Sequence, residues 1–316
     1  MPLERTMSVL SKPYFHDEAA AFAHLEAVIW GGTPVCPHCG ARDRISAIAP
    51  NEAKRVRMGL KKCGRCKKQF TVKVGTVFEH ARMPLHKMLQ AMYLMTTSKK
   101  GVSAHQLHRT LEVTYKTAWF LAHRIRGTMR TTDLSTFGVG GGSVEVDETF
   151  IGRLKGAPVK RSFHYKMKVL ALVDRPTGRA STMVVDDVKA ATLMRIVRAN
   201  VAKEATIMTD KHLAYTRIKD HFSGHGTTVH SSGQYVDFND ATIHSTTVEG
   251  YLSIFKRGMK GVYQHCGEAH LHRYLAEFEF RYNYRVRNGY DDGARTVETI
   301  KGIVGKRLLY ADSFAA

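Results

Sequence analysis

Apolar positions in this chain recur at two spacings, and the switch between them divides it. Over residues 14–30, Phe15, Ala19, Phe22, Leu25 and Ile29 fall three or four apart, which predicts a helix with one buried stripe. Asp17 and Glu18 stand near its start, where the helix dipole favours acids. The same period returns over 84–130. Leu85, Met88, Leu89, Met92 and Met95 form one stripe, Ser103 caps a short helix carrying Leu107 and Leu111, and Thr114 caps a second helix over 115–129. Ala118, Leu121, Ala122 and Ile125 would pack inward, which predicts a helix-turn-helix, with a plain helical bundle as the alternative. Residues 70–78 alternate and read as a strand.

Beyond a polar stretch that ends in three glycines, the period of two dominates. In residues 143–153, Val144 and Val146 alternate with Glu145 and Asp147, so the valines should face a core and both acids an open face. Residues 165–174 read as a strand, 175–178 as a hairpin turn and 179–185 as the return strand. A helix over 189–204, with Ala190, Leu193, Met194, Val197 and Val201 on one face, then leads to a buried strand at 205–210. Residues 220–244 are polar, rich in His and Gly, and carry no readable pattern. Two helices follow: 247–263, with Val248, Tyr251, Leu252, Phe255 and Met259 in a stripe, and 270–285, with Leu271, Tyr274, Leu275, Phe278 and Tyr282. Arg281, Arg285 and Arg287 would extend a basic surface.

A three-stranded meander, a helix and a further strand make the start of an RNase H-like α/β fold. The organisation expected is an N-terminal helix (1–32), a zinc ribbon (33–80), a helix-turn-helix-like DNA-binding region (81–130) and a Gly-rich linker (131–142). A catalytic domain (143–300) and a C-terminal tail (301–316) complete it. The ribbon rests on Cys36, Cys39, Cys63 and Cys66, two pairs that each leave two residues between thiolates, enough for a tight turn aiming both sulfurs at one structural zinc ion. His38 lies inside the first pair as a bystander, and Cys266 reads as a buried or half-exposed thiol.

Charge narrows the partner. Forty-eight Lys and Arg against 28 Asp and Glu give a net charge of +20, which points to a polyanion. Eight of those cations and no acid fall within 54–68. Lys61, Lys62, Arg65, Lys67 and Lys68, with Tyr115, Lys116 and Arg124 of the second helix, are the candidate DNA contacts. There is no long apolar run and no apolar leader, so a soluble, cytoplasmic, nucleoid-associated protein is expected.

Three acids on separate elements, Asp147, Asp210 and Glu249, are what a two-metal phosphoryl-transfer site requires, although each alone could be a solvated surface charge. Lys256, two helical turns beyond Glu249, could meet a phosphate. Magnesium suits such oxygen ligands, with manganese as a substitute. A DNA-binding regulator without catalysis is the alternative reading.

The zinc ribbon, Gly-Thr-Val-Phe at 75–78, Met-Pro-Leu at 83–85, Val-Asp-Glu-Thr-Phe-Ile-Gly at 146–152, Thr-Asp-Lys-His-Leu-Ala-Tyr at 209–215, His-Ser-Thr-Thr-Val-Glu-Gly at 244–250 and the helix from His270 carry a resemblance. The chain resembles the bacterial insertion-sequence transposases of the DDE type with an N-terminal zinc ribbon, family fifteen ninety-five, whose catalytic domain is of the ISXO type. That resemblance implies an RNase H-like (retroviral integrase-like) catalytic domain that cleaves and joins transposon ends. It implies Asp147, Asp210 and Glu249 as ligands of two Mg2+ ions, and Lys256 as the accompanying basic residue. Terminal inverted repeats and target DNA would be the partners of a homo-oligomer. Relatives often carry Asn three residues before the Glu; Thr246 stands there in this chain.

Overall fold

The structure is a computed structural model that describes residues 8–130, 136–160, 162–210, 213–228 and 236–308. Parts of the expected linker, of the 220–244 stretch and of the C-terminal tail lie outside the described residues. The chain divides into two compact units. One joins residues 1–98, 102–130 and 290–316; the other joins 99–101 and 131–289.

In the first unit, α1 (Glu18–Trp30) starts later than its apolar stripe suggests, because Asp17 accepts from the Ala20 amide and fixes the cap there. Its buried face uses Ala21, Phe22 and Leu25 rather than Ala19. Strands β1 (Ile45–Ala47), β2 (Lys61–Cys63) and β3 (Gln69–Phe70) form an antiparallel ribbon. The strand expected over 70–78 stops at Phe70. The Thr71 and Thr76 hydroxyls accept from the Lys73 and Phe78 amides, and Gly75 takes a φ of +75°, so the segment folds into consecutive turns. Val72, Val77 and Phe78 are buried within these turns.

Helices α2 (Leu85–Thr97), α3 (Ala104–Leu111) and α4 (Tyr115–Met129) follow. The expected caps form: Ser103 accepts from the Gln106 amide and Thr114 from the Thr117 amide. Between α3 and α4, Glu112 adopts a left-handed backbone with a φ of 53°, and the four expected inward residues of α4 are all buried. A last helix, which the pattern did not predict, belongs to this unit in place of the catalytic domain. It spans Asp292–Lys301, is numbered α8 in chain order after the helices of the second unit, and packs on α2. Ile300 and Ile303 are buried there, and the Thr96 and Thr296 hydroxyls meet at 3.1 Å.

The second unit is a five-stranded sheet between two helical layers. Its strands are β4 (Ser143–Ile151), β5 (Met167–Asp174), β6 (Arg179–Val185), β7 (Thr206–Asp210) and β8 (Gly224–Thr228). Their order is β6-β5-β4-β7-β8, the first three antiparallel and β4, β7 and β8 mutually parallel. One face packs Val144, Val146, Leu170 and Leu172 against Leu193 and Val197 of α5 (Ala190–Asn200). The other packs Val169, Ala171 and Val173 against α6 (Thr246–Gly258) and α7 (Leu271–Asn283). Helix α6 continues through a wider turn, Met259–Tyr263. The described end of the glycine stretch is docked here: Phe137 is buried and bridges Val201, and Gly138 donates to the Asp174 carboxylate.

Candidate active site

The two aspartates are brought together by strand pairing. In the parallel pair of β4 and β7, Ser143 lies opposite Thr206 and Glu145 opposite Met208, an offset of 63 residues. Continued two residues further, the same offset sets Asp147, in the middle of β4, level with Asp210, the last residue of β7. Register partners in a parallel pair share a face about 4.8 Å apart. Asp147 feels that proximity. Burial first, then the Asp210 charge and more weakly Glu249, raise its pKa to about 6, against the Glu148 amide and Lys256, which lower it. The same balance shows that Glu249 and Lys256 of α6 act on Asp147. Immediately before α6, the Ser245 hydroxyl donates to Glu249 Oε1 at 2.8 Å and sets its rotamer.

Glu145 does not share the open face expected for it. It is fully buried, because α6 and α7 cover that side of the sheet. Its carboxylate accepts from Arg175 Nε at 2.5 Å and from the Val248 amide in the first turn of α6 at 2.8 Å, with His244 Nδ1 at 3.3 Å. Arg175 also donates to the Thr242 and His244 carbonyls. Glu145 is therefore a clasp that fixes the start of the helix bearing Glu249. Nothing in the pattern distinguished Arg175 and His244 as its partners.

Glu148, next along β4, carries a pKa raised to about 8, by burial first and then by Asp147 and Asp210. Glu148 Oε1 and Asp210 Oδ1 are both buried without a hydrogen-bond partner among the described residues. Orphaned carboxylate oxygens beside a further acid fit hard divalent cations, which neutralise the repulsion and take the free lone pairs. The acids are neighbours and do not yet form a closed ligand set. Among the described residues, the group of three or more ligand atoms within one ion's reach is that of Cys36, Cys39, Cys63 and Cys66.

Those four sulfurs lie within 4.8 Å of one another, and two of the pairs are 3.7 Å apart. A zinc tetrahedron with bonds near 2.3 Å requires about 3.8 Å between sulfurs, so the cluster fits a structural zinc ion. The knuckles match: the Gly40 amide donates to Cys36 and the Lys67 amide to Cys63, with both donors in left-handed backbone. The Cys66 amide, opposed by desolvation and aided by the Arg65 amide, lowers the Cys63 thiol to about 7. His38 stays outside the cluster, exposed, with its ring edge-on to Phe70.

Family models match parts of both units. Residues 140–283 match the ISXO2-like transposase domain and residues 16–69 the transposase zinc-ribbon domain. The chain belongs to this family of insertion-sequence transposases. A relative in Halobacterium salinarum, described as an uncharacterized protein in transposable element ISH50, is 28% identical over 286 residues, covering 84% of this chain and 91% of its own length. The matched transposase domain of this chain contains Asp147, Asp210, Glu249 and Lys256.

The expected DNA contacts of the transposase divide by availability. Lys62, Arg65, Lys67 and Lys68 are exposed on the ribbon. Lys61 is engaged, 3.0 Å from Glu26 and over the Trp30 ring. On α4, Tyr115 and Lys116 are exposed, whereas Arg124 is half-buried with its guanidinium 4.6 Å from the Phe120 ring centre. Arg281 corrects the basic surface expected on α7. It is buried and ion-paired with Glu277, leaving Arg287 exposed and Arg285 stacked on Tyr282. Cys266 is half-buried against the core of the second unit. No helix among the described residues is long and apolar enough to cross a membrane.

Proposed function

We propose that this transposase cleaves and joins DNA at the ends of its insertion sequence through Asp147, Asp210 and Glu249, with Lys256 beside them, on an RNase H-like domain. The observation that carries this reading is the 63-residue register of β4 and β7, which, continued by two residues, brings Asp147 of β4 level with Asp210 at the end of β7. The antiparallel meander followed by a helix and a parallel strand supports the fold. Two magnesium ions, when bound, supply activation of water or a 3′-hydroxyl and stabilisation of the leaving oxygen.

The protein's own part is positioning. Asp147 and Asp210 offer oxygens from adjacent paired strands, and Ser245 and the Glu145 clasp orient Glu249 on the covering helix. Lys256 offers a cation to a phosphate. The exposed cations of the ribbon, with Tyr115, Lys116 and Arg124, would bind the terminal inverted repeats, and joining two ends calls for a homo-oligomer. Such a reaction takes place on chromosomal DNA in the cytoplasm.

The deciding experiment joins pre-cut transposon ends to plasmid DNA with magnesium. Wild type should join ends, and Asp147→Asn, Asp210→Asn and Glu249→Gln should bind the ends and fail to join them. Joining by Glu249→Gln would place the third ligand elsewhere. A wild type that binds and never joins would favour a DNA-binding regulator.

A further inference from the structure

The turn at 80–84, immediately before α2, forms the wall shared by two hollows of the first unit. One, of about 610 Å3, lies against α4 and is lined by Met88, Lys116, Phe120, Leu121 and Arg124. The other, of about 830 Å3, lies against α1 and the ribbon and has Arg57 and Lys73 in its lining. Arg82 lines both.

Arg124 is left without an acceptor in the first hollow. Its guanidinium lies over Phe120, its Nε is buried without a hydrogen-bond partner, and no carboxylate among the described residues pairs with it. Burial first, and then the Arg307 charge, press its pKa below the ordinary value. Lys73, whose amine donates to the Ala81 carbonyl in the shared wall, meets the same field. Its pKa is lowered by burial first, against the pull of Glu18, and then by Arg57 and Arg124. Glu18 is already used, since it accepts from the Leu85 and His86 amides and meets the His86 ring. Arg307 is brought in by backbone bonds from Val77 to Ile303 and from Gly305 to Gly75, and by the Lys306 amine on the Thr128 and Arg130 carbonyls. Cations from four separate segments therefore converge on this turn.

A buried donor without an acceptor costs stability, and so does a cluster of like charges. A phosphate removes both costs, because its oxygens match the guanidinium fork and its charge neutralises the cluster. On a chain of net charge +20, with Tyr115 and Lys116 exposed at the start of the same helix, the phosphate is that of a DNA backbone. We propose that one backbone phosphate of the transposon end seats in the hollow between α4 and the 80–84 turn, on Arg124 with Arg82 at its wall, within a field supplied by Arg57, Lys73 and Arg307. The proposal rests on the transposase reading above and goes beyond it: Arg124 positions the duplex and reads no base, and the turns after β3 become part of the DNA surface.

The test uses the full chain and two duplexes, one ending in the element's terminal repeat and one with that repeat scrambled, titrated at several salt concentrations. Arg124→Met should weaken binding to both by the same factor, about ten- to a hundredfold, and lower the salt slope by about one. Arg307→Ala, at an exposed residue, should weaken both by about two- to fivefold. A series of repeat duplexes then carries a neutral methylphosphonate in place of one phosphate at a time. Wild type should lose about tenfold at one position, and Arg124→Met should lose nothing further there. Because Arg124 has no acceptor within the described protein, Arg124→Met should hold the same zinc and melt no lower than wild type, which a structural arginine would not allow.

Weakening confined to the repeat duplex would make Arg124 a base-reading residue and overturn the inference. So would an Arg124→Met protein still weakened by every methylphosphonate that weakens wild type, or one that melts lower and binds DNA unchanged. A wild type that binds neither duplex overturns this inference together with the transposase reading; one that binds with the expected phosphate dependence and never joins ends overturns the transposase reading alone.

Discussion

Glu145 offers a sharp test of the structure, because alternation along β4 assigns it to an open face and the structure buries it. Its carboxylate offsets the charge of Arg175, whose side chain is 17% exposed, and accepts the Val248 amide in the first turn of α6. Glu145→Ala would leave a buried guanidinium and a helix N–H without their acceptor. Breaking a buried ion pair by removing one partner costs about 3–5 kcal/mol. The unpaired amide is not simply additive, because both losses are felt at one carboxylate. Glu145→Gln keeps an acceptor and loses the charge, at about 1.5–3 kcal/mol for the charge-assisted bond. A solvated strand acid would change stability by no more than about 0.5 kcal/mol.

Tryptophan fluorescence is the wrong assay, since Trp30 and Trp119 both belong to the first unit. Native-state hydrogen exchange, resolved by peptide, reads the sheet directly. In Glu145→Ala, the slowest β4 and β5 amides should exchange about two to three and a half orders of magnitude faster, and peptides of the first unit should not change. Replacing Glu145 and Arg175 together by Met should recover much of the loss, because no charge is then stranded. If β4 and α6 exchange as in wild type in Glu145→Ala, the clasp carries no stability and the argument for how α6 is aimed fails.

Three further expectations concern other sites. Glu279, pushed up to about 7 from its ordinary 4.5, by burial first and against the Thr182 amide and hydroxyl, binds its proton more tightly when folded. Its contribution is complete below pH 4.5 and is lost by about pH 7, a fall of roughly 3 kcal/mol; Glu279→Gln should flatten the exchange-derived stability of the second unit over that window. Removing zinc with a chelator, or substituting Cys63→Ser, should release one zinc ion per chain to a colorimetric dye and shift the emission of Trp30, which packs on the cysteine cluster. Lys62→Ala and Arg65→Ala should leave stability unchanged, and each should reduce the salt slope of DNA binding by about one, measured by titration at several salt concentrations.

The parts of this chain that were legible share a physical cause: they are decided within a few residues. Ser103 and Thr114 cap helices because their hydroxyls reach amides three residues on, and the four-cysteine knuckles close through local turns. Where a long-range partner decides, pattern gave out. Alternation put Glu145 and Asp147 correctly on one face of β4, yet whether that face is open depends on α6, a hundred residues away. Strand β8, Gly-His-Gly-Thr-Thr, has too little apolar character to announce itself, and α8 faces inward largely with Arg295, Thr296 and Thr299. The alternation in 70–78 became neither a strand nor an alternating burial: residues 70–72 and 76–78 are buried as two runs, because two threonine hydroxyls competed for the amides a ladder would need. The candidate site lies between these cases. Its acids are visible as residue types, but Asp210 becomes the neighbour of Asp147 only through a parallel pairing that spans 63 residues. The sequence can therefore nominate the carboxylates, and only the register makes them a pair; a single-residue slip of β7 would turn Asp210 to the opposite face.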